Sequence, residues 1–169
     1  MTVSSTAFGT RRRKEGAVSG FTASPHMADA LQQILVDLIE LHLQAKQAHW
    51  NLVGRNFRDL HLHLDQIADA SRDAGDTVAE RMRAVHAVPD GRSQTVVTTT
   101  TLPEFPAGEQ DTTVVIDIVT SRLRTATSTV RDLHDVVDRE DPVTADLLHM
   151  ITDVLEKHAW MMSAENVSE

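Results

Sequence analysis

An all-α protein is predicted: four helices packed as a bundle, with one long crossover between the second and the third. Three features carry this. Apolar residues recur every three or four positions in four separate stretches, the period of a helix with one buried stripe. Proline and glycine are few, 5 and 7 among 169 residues, and no proline falls inside a periodic stretch. One link, residues 91–111, is far longer than the few residues that usually join neighbouring elements.

The first helix is predicted from about Met27, with Ser24-Pro25 as its start signal and Leu31, Leu35, Leu38, His42, Ala45, His49 and Leu52 on one stripe. Gly54-Arg55-Asn56 interrupts the pattern. Leu60, Leu64, Ile67, Ala74, Val78, Met82 and Val85 form the second stripe, which ends before Pro89-Asp90-Gly91. The third holds Val115, Val119, Leu123, Ala126, Val130, Leu133 and Val137. The fourth starts after Asp141-Pro142 and runs through Leu147, Ile151, Leu155, His158 and Met162. Four amphipathic helices of similar length bury their stripes against one another as a bundle. The long link then crosses the bundle and makes the second and third helices parallel.

Composition limits what this bundle does. There is no cysteine, so thiolate catalysis, disulfides and cysteine-based zinc sites are excluded. A metal must be held by imidazole and carboxylate, and the chain has 9 His and 25 Asp plus Glu. No apolar run approaches the length of a membrane helix, and the first residues lack the apolar core of a secretory signal, so a cytoplasmic protein is expected. Residues 1–26 read as a mobile basic tail, 27–166 as the bundle and 167–169 as a short end. Arg11, Arg12, Arg13 and Lys14 oppose only Glu15 in the tail, a local +3. With a total of −9, the remainder carries −12, a field that attracts cations and repels nucleic acid.

Five residues stand out by type and spacing: His49, His61, Asp65, Asp76 and Glu80. His61 and Asp65 are four apart and share a helix face, as do Asp76 and Glu80. The eleven residues from Asp65 to Asp76 bring a helix back to nearly the same direction, yet move about 16 Å along its axis. One metal ion, with bonds of about 2 Å, does not reach both pairs. Ala68, Ala70, Ser71, Ala74 and Gly75 lie between them, small enough for another helix to approach. If the second helix meets its own copy antiparallel near Ala70-Ser71, His61 and Asp65 of one chain face Asp76 and Glu80 of the other. Two-fold symmetry makes two such sites per dimer. The competing reading of any one of these residues is a solvated polar face.

The stretch KQAHWNLVGRNFRDLHLHLDQIADASRDAGDTVAERM from Lys46 resembles the ferroxidase segment of the Dps family, the ferritin-like DNA-binding proteins from starved cells. His-Trp-Asn at 49–51, Phe-x-x-Leu-His-x-x-x-Asp at 57–65 and Asp-x-x-x-Glu-Arg at 76–81 carry the resemblance, with Glu156-Lys157-His158 and Trp160-Met161 in the last helix. It spans about residues 27–166. It implies a ferritin-like bundle, a hollow shell of twelve subunits and ferrous iron oxidised at dimer interfaces, with hydrogen peroxide favoured as oxidant. His49, His61 and Asp65 would come from one subunit, Asp76 and Glu80 from its partner. In that scheme Asp65 or Glu80 bridges, the imidazoles are terminal ligands, and Asp76 acts through water or a hydrogen bond. Trp50 is either an electron donor to the site or a packing residue. The chain departs from the family pattern at His86, where a small residue is usual, and lacks the extended basic C-terminal tail of some members.

A site inside a single bundle would need Glu-x-x-His on two helices, and the sequence has none. DNA binding through Arg11, Arg12, Arg13 and Lys14 is the second expectation, and a nucleoid-compacting protein with little iron chemistry is the rival one. Glu140, Asp141 and Asp146 are candidates for a negative iron-entry pore. His42 and His158 read as hydrogen-bonded core or interface groups. His63 is expected to point away from His61, and His26, His86 and His134 to lie at the surface. Met161-Met162 reads as core.

Overall fold

The computed structural model describes residues 20–166; the basic run Arg11–Lys14 lies outside them. Four long helices form the bundle: α1 (Pro25–Asn51), α2 (Phe57–Ala84), α4 (Thr112–Asp138) and α5 (Pro142–Ala164). Their starts follow from local chemistry. The Ser24 hydroxyl accepts from the Met27 amide at 3.2 Å and Pro25 opens α1, while Asp111 accepts from the Thr113 amide at 2.9 Å to open α4. Asn56, at φ 58°, turns the chain from α1 into α2.

A short parallel bridge sets the direction of the helices. β1 (Leu52–Val53) follows α1, β2 (Gln110–Asp111) precedes α4, and Leu52 pairs with Gln110. Thus α4 begins at the end of the bundle where α1 stops and α2 starts, so α2 and α4 run the same way, as the long link predicted. At the opposite end the Ser24 amide and hydroxyl donate to Glu140 at 3.1 and 2.5 Å. The core between the helices is apolar, with Leu31, Ile34, Leu38, Leu64, Ile67, Leu123 and Leu155 all buried.

The crossover contains an element that periodicity did not reveal, α3 (Ser93–Thr99). Its run of valines and threonines favours strand, but Val96 is buried and the Thr98 and Thr99 hydroxyls return to the Gln94 and Thr95 carbonyls at 2.7 Å. Tertiary packing overrides the propensity. Beyond α3, the crossover is tied down by Asp37 of α1, which is 1% exposed. Its Oδ1 accepts from the Thr100 hydroxyl and Thr101 amide at 2.9 and 2.7 Å. Its Oδ2 accepts from the Thr101 and Thr129 hydroxyls at 2.6 and 2.8 Å.

Candidate metal centre

His49, in the last turn of α1, and His61, near the start of α2, meet because the Gly54–Asn56 turn folds one helix back on the other. Their rings stack with centroids 3.6 Å apart at 22°, and Phe57 stacks on His61 at 5.2 Å. His49 Nδ1 lies 2.9 Å from the His61 carbonyl, and His61 Nδ1 lies 3.0 Å from the His49 carbonyl. A carbonyl only accepts, so each Nδ1 carries the hydrogen, and in the neutral ring Nε2 then keeps its lone pair. Both imidazoles are therefore fixed in the tautomer that binds a metal through Nε2.

Asp65 is one turn further along α2, with Oδ1 at 3.4 Å from His49 Nδ1. The same oxygen takes a hydrogen bond from Lys46 Nζ at 2.6 Å. That bond is the main reason the Asp65 carboxyl sits below the usual carboxylate range; burial opposes the shift, and the nearby His49 assists it. The carboxylate is ionised and its cation place is held by an ammonium, which an incoming metal ion must share or displace. Sequence reasoning missed Lys46, although its position three residues before His49 puts both on one face of α1. Lys46 Nζ also sits 5.6 Å from the Trp50 ring centroid, and Trp50 is 68% exposed, so the indole is not packed in this chain's core.

Asp76 and Glu80 are exposed on α2, on the far side of Ala68, Ser71 and Gly75, which are buried. Among the described residues no three His, Asp or Glu side chains converge as a metal site. One end of the α2 face thus offers two imidazoles and a carboxylate, the other two carboxylates, and a single chain does not join them. Between them lies a mostly apolar concavity of about 340 Å³ lined by Leu35, Ile39, His42, Gly75, Asp76 and Ala79 among others. His42 Nδ1 donates to the Ala68 carbonyl at 2.9 Å, a hydrogen-bonded group at this face as expected.

The other histidines and acids sort clearly. His63 faces away from His61 and meets His158 of α5, Nε2 to Nδ1 at 3.2 Å; burial lowers the basicity of both. His134, expected at the surface, is half-buried, because α5 brings His149 onto it. Met162 is buried as expected, but Met161 is 39% exposed. Asp141 does not fit a pore. It is buried at the start of α5, bound to Arg81 Nη2 and the Thr144 hydroxyl. Burial pushes its carboxyl up, but the bonds from Thr144 and Arg81 outweigh that and hold it low. Its charge is neutralised inside the chain. Glu140 is likewise engaged by Ser24, whereas Asp146 is exposed.

Residues 28–167 match the ferritin-like domain family. The chain is 37% identical to the solved structure of Dps92 from Deinococcus radiodurans, covering 82% of this chain and 84% of that one at a TM-score of 0.80. The chain belongs to the Dps branch of the ferritin-like proteins. A Dps structure from Microbacterium arborescens, described as its high iron form, is 30% identical over 86% of this chain and 98% of that one, with a TM-score of 0.76. Among curated relatives, DNA protection during starvation protein 2 of Deinococcus radiodurans is 38% identical over 80% of this chain, which spans 56% of that protein's length. The fine tangled pili major subunit of Haemophilus ducreyi is also 38% identical, over 90% of this chain and 82% of that protein. No helix among the described residues is long and apolar enough to cross a membrane.

Proposed function

We propose that this Dps-family chain oxidises ferrous iron at sites shared between two copies and stores the product as ferric mineral inside a shell of twelve subunits. The observation that carries this is the fixed His49–His61 pair beside Asp65, an incomplete ligand set, with Asp76 and Glu80 exposed further along the same α2 face. An antiparallel meeting of two α2 helices across the concavity between the pairs completes the set twice. The high iron form of a relative supports iron as the cation, and imidazole with carboxylate suits it.

Ferrous iron is the substrate. The His49 and His61 Nε2 atoms and the Asp65 carboxylate bind it from one chain, and Glu80 and Asp76 approach from the partner. With peroxide as oxidant, two Fe²⁺ each give one electron to H₂O₂, and two waters complete two FeOOH with release of four H⁺. Fixed carboxylates favour this step because they stabilise the added positive charge of the ferric ion more than that of the ferrous ion. Few protein ligands leave positions open for the oxidant. Removing ferrous iron and peroxide together would protect DNA, a role that suits a cytoplasmic protein near the nucleoid. In the test, His61→Ala/Asp65→Ala slows the first phase of ferric absorbance at least about tenfold while light scattering still reports the full assembly. Wild-type kinetics in that variant would mean the face is only solvated surface.

The basic run in residues 11–14 favours DNA contact as an added activity. Twelve copies would display about 48 tail cations, and phosphate contacts add. Retardation of DNA is then expected to fall steeply with salt and to vanish on deletion of residues 1–15. Undiminished binding by the truncated protein would place the contact elsewhere.

A further inference from the structure

The seam between α2 and α5 holds another pair of imidazoles. His63 is two residues after His61, about 200° further round α2 at 3.6 residues per turn, so it faces away from the shared iron site. It meets His158, in the last two turns of α5. Nε2 of His63 lies 3.2 Å from Nδ1 of His158, with ring centroids 5.4 Å apart and planes tilted by 38°. Both rings are half-buried.

One hydrogen lies between those two nitrogens, and either ring can carry it. The spacing also suits a different occupant. An ion bound by two imidazoles at about 2.0–2.1 Å holds the nitrogens about 2.9 Å apart at a right angle and about 3.4 Å apart at the tetrahedral angle. The 3.2 Å gap falls inside that span. Entry of an ion requires a small turn of each ring and transfer of the shared hydrogen to the far nitrogen of its own ring. Both imidazoles stay neutral and no proton is released.

The charges around the pair are mixed. Glu165, just past the end of α5, acts through space on His63, and Lys157 acts on His158. Asp59 is exposed one turn before His63 on the same strip of α2. Two carboxylates thus flank the seam against one ammonium. Lys157 is exposed, and its long stem lets the ammonium swing out into water.

We infer that His63 and His158 together bind one divalent cation of the imidazole-preferring class, such as zinc or copper(II), through Nε2 of the first and Nδ1 of the second. Water fills the remaining positions, so the ion is held less tightly than in a closed four-ligand zinc site. Copper(II) binds more tightly than zinc. The bound ion clips α5 to α2 and stabilises the folded chain by mass action. This site and the shared iron site have no ligand in common, and the clip needs no second copy of the chain.

The experiment uses the full-length protein carrying His49→Ala/His61→Ala, which removes the imidazoles of the shared site. Calorimetric titration with zinc chloride counts the ions bound per chain. Adding His158→Phe keeps a ring in the seam without its nitrogens and is expected to lower the count by one ion per chain. Adding His63→Gln is expected to do the same, and both together remove that one ion and no more. The zinc-dependent rise in melting temperature shrinks in each variant. His134 and His149 are kept throughout, so whatever they bind cancels in the difference. Light scattering without zinc checks assembly, and His158→Gln replaces His158→Phe if the larger ring does not fit. An unchanged count in either single variant would overturn the inference and leave an ordinary hydrogen-bonded pair. Loss of two ions in the combined variant would also overturn it, because each histidine would then serve its own ion.

Discussion

Mixing a His61→Ala variant with a Glu80→Ala variant, after dissociation and reassembly, is expected to return about a quarter of wild-type iron oxidation, although each variant alone is nearly inactive. The expectation comes from helix geometry. His61 and Glu80 lie nineteen residues apart on α2, which is about 28 Å along a helix, so they do not serve one ion within a chain. In a two-fold pair, His61 of one chain works with Glu80 of the other. When one chain of each kind pairs, one site collects both lesions and the other collects none. Random pairing makes about half the dimers mixed, and half of their sites are intact. Were all ligands drawn from one chain, every site would keep a lesion and mixing would restore nothing. Subunit exchange is checked by mass spectrometry, so that a failure to recover activity speaks against the shared site and not against the mixing.

The bundle was legible because burial leaves a period. Four apolar stripes, the Ser24-Pro25 and Asp141-Pro142 starts and one overlong link located the helices and their directions, and Leu52–Gln110 pairing gives the direct reason α2 and α4 are parallel. The iron-ligand candidates were legible by spacing, since residues four and eleven apart return to one helix face. Contacts that depend on tertiary placement left no such mark. Lys46 meets Asp65 only because α1 and α2 fold together. Asp141 looked like a pore acid, yet Arg81, 60 residues away in the chain, occupies it. His134 looked like a surface residue until α5 returned His149 onto it. The crossover read only as a long link, because nothing local announces that three of its donor groups converge on one buried carboxylate.

That carboxylate sets the second large effect. Asp37→Ala is expected to destabilise the protein by about 2–4 kcal/mol, with the crossover loosening first. Asp37 is an acidic residue on a helix otherwise packed into the core, and it receives four hydrogen bonds at 2.6–2.9 Å, three from Thr100 and Thr101 and one from Thr129 of α4. Alanine leaves those donors facing a hole. Thr101 is exposed and recovers water, which keeps the loss below that of a fully buried charge. Asp37→Asn separates the causes. Its carbonyl oxygen still accepts from the Thr101 amide, and the Thr101 and Thr129 hydroxyls rotate to accept from its amide nitrogen, so about half of the loss is expected to return. Urea denaturation at matched subunit concentration measures both variants, since association couples stability to concentration. Limited proteolysis reports where each chain opens, with cleavage expected between residues 100 and 111 in Asp37→Ala. An alanine variant as stable and as protease-resistant as wild type would show that α3 and the β1–β2 bridge hold the crossover without Asp37.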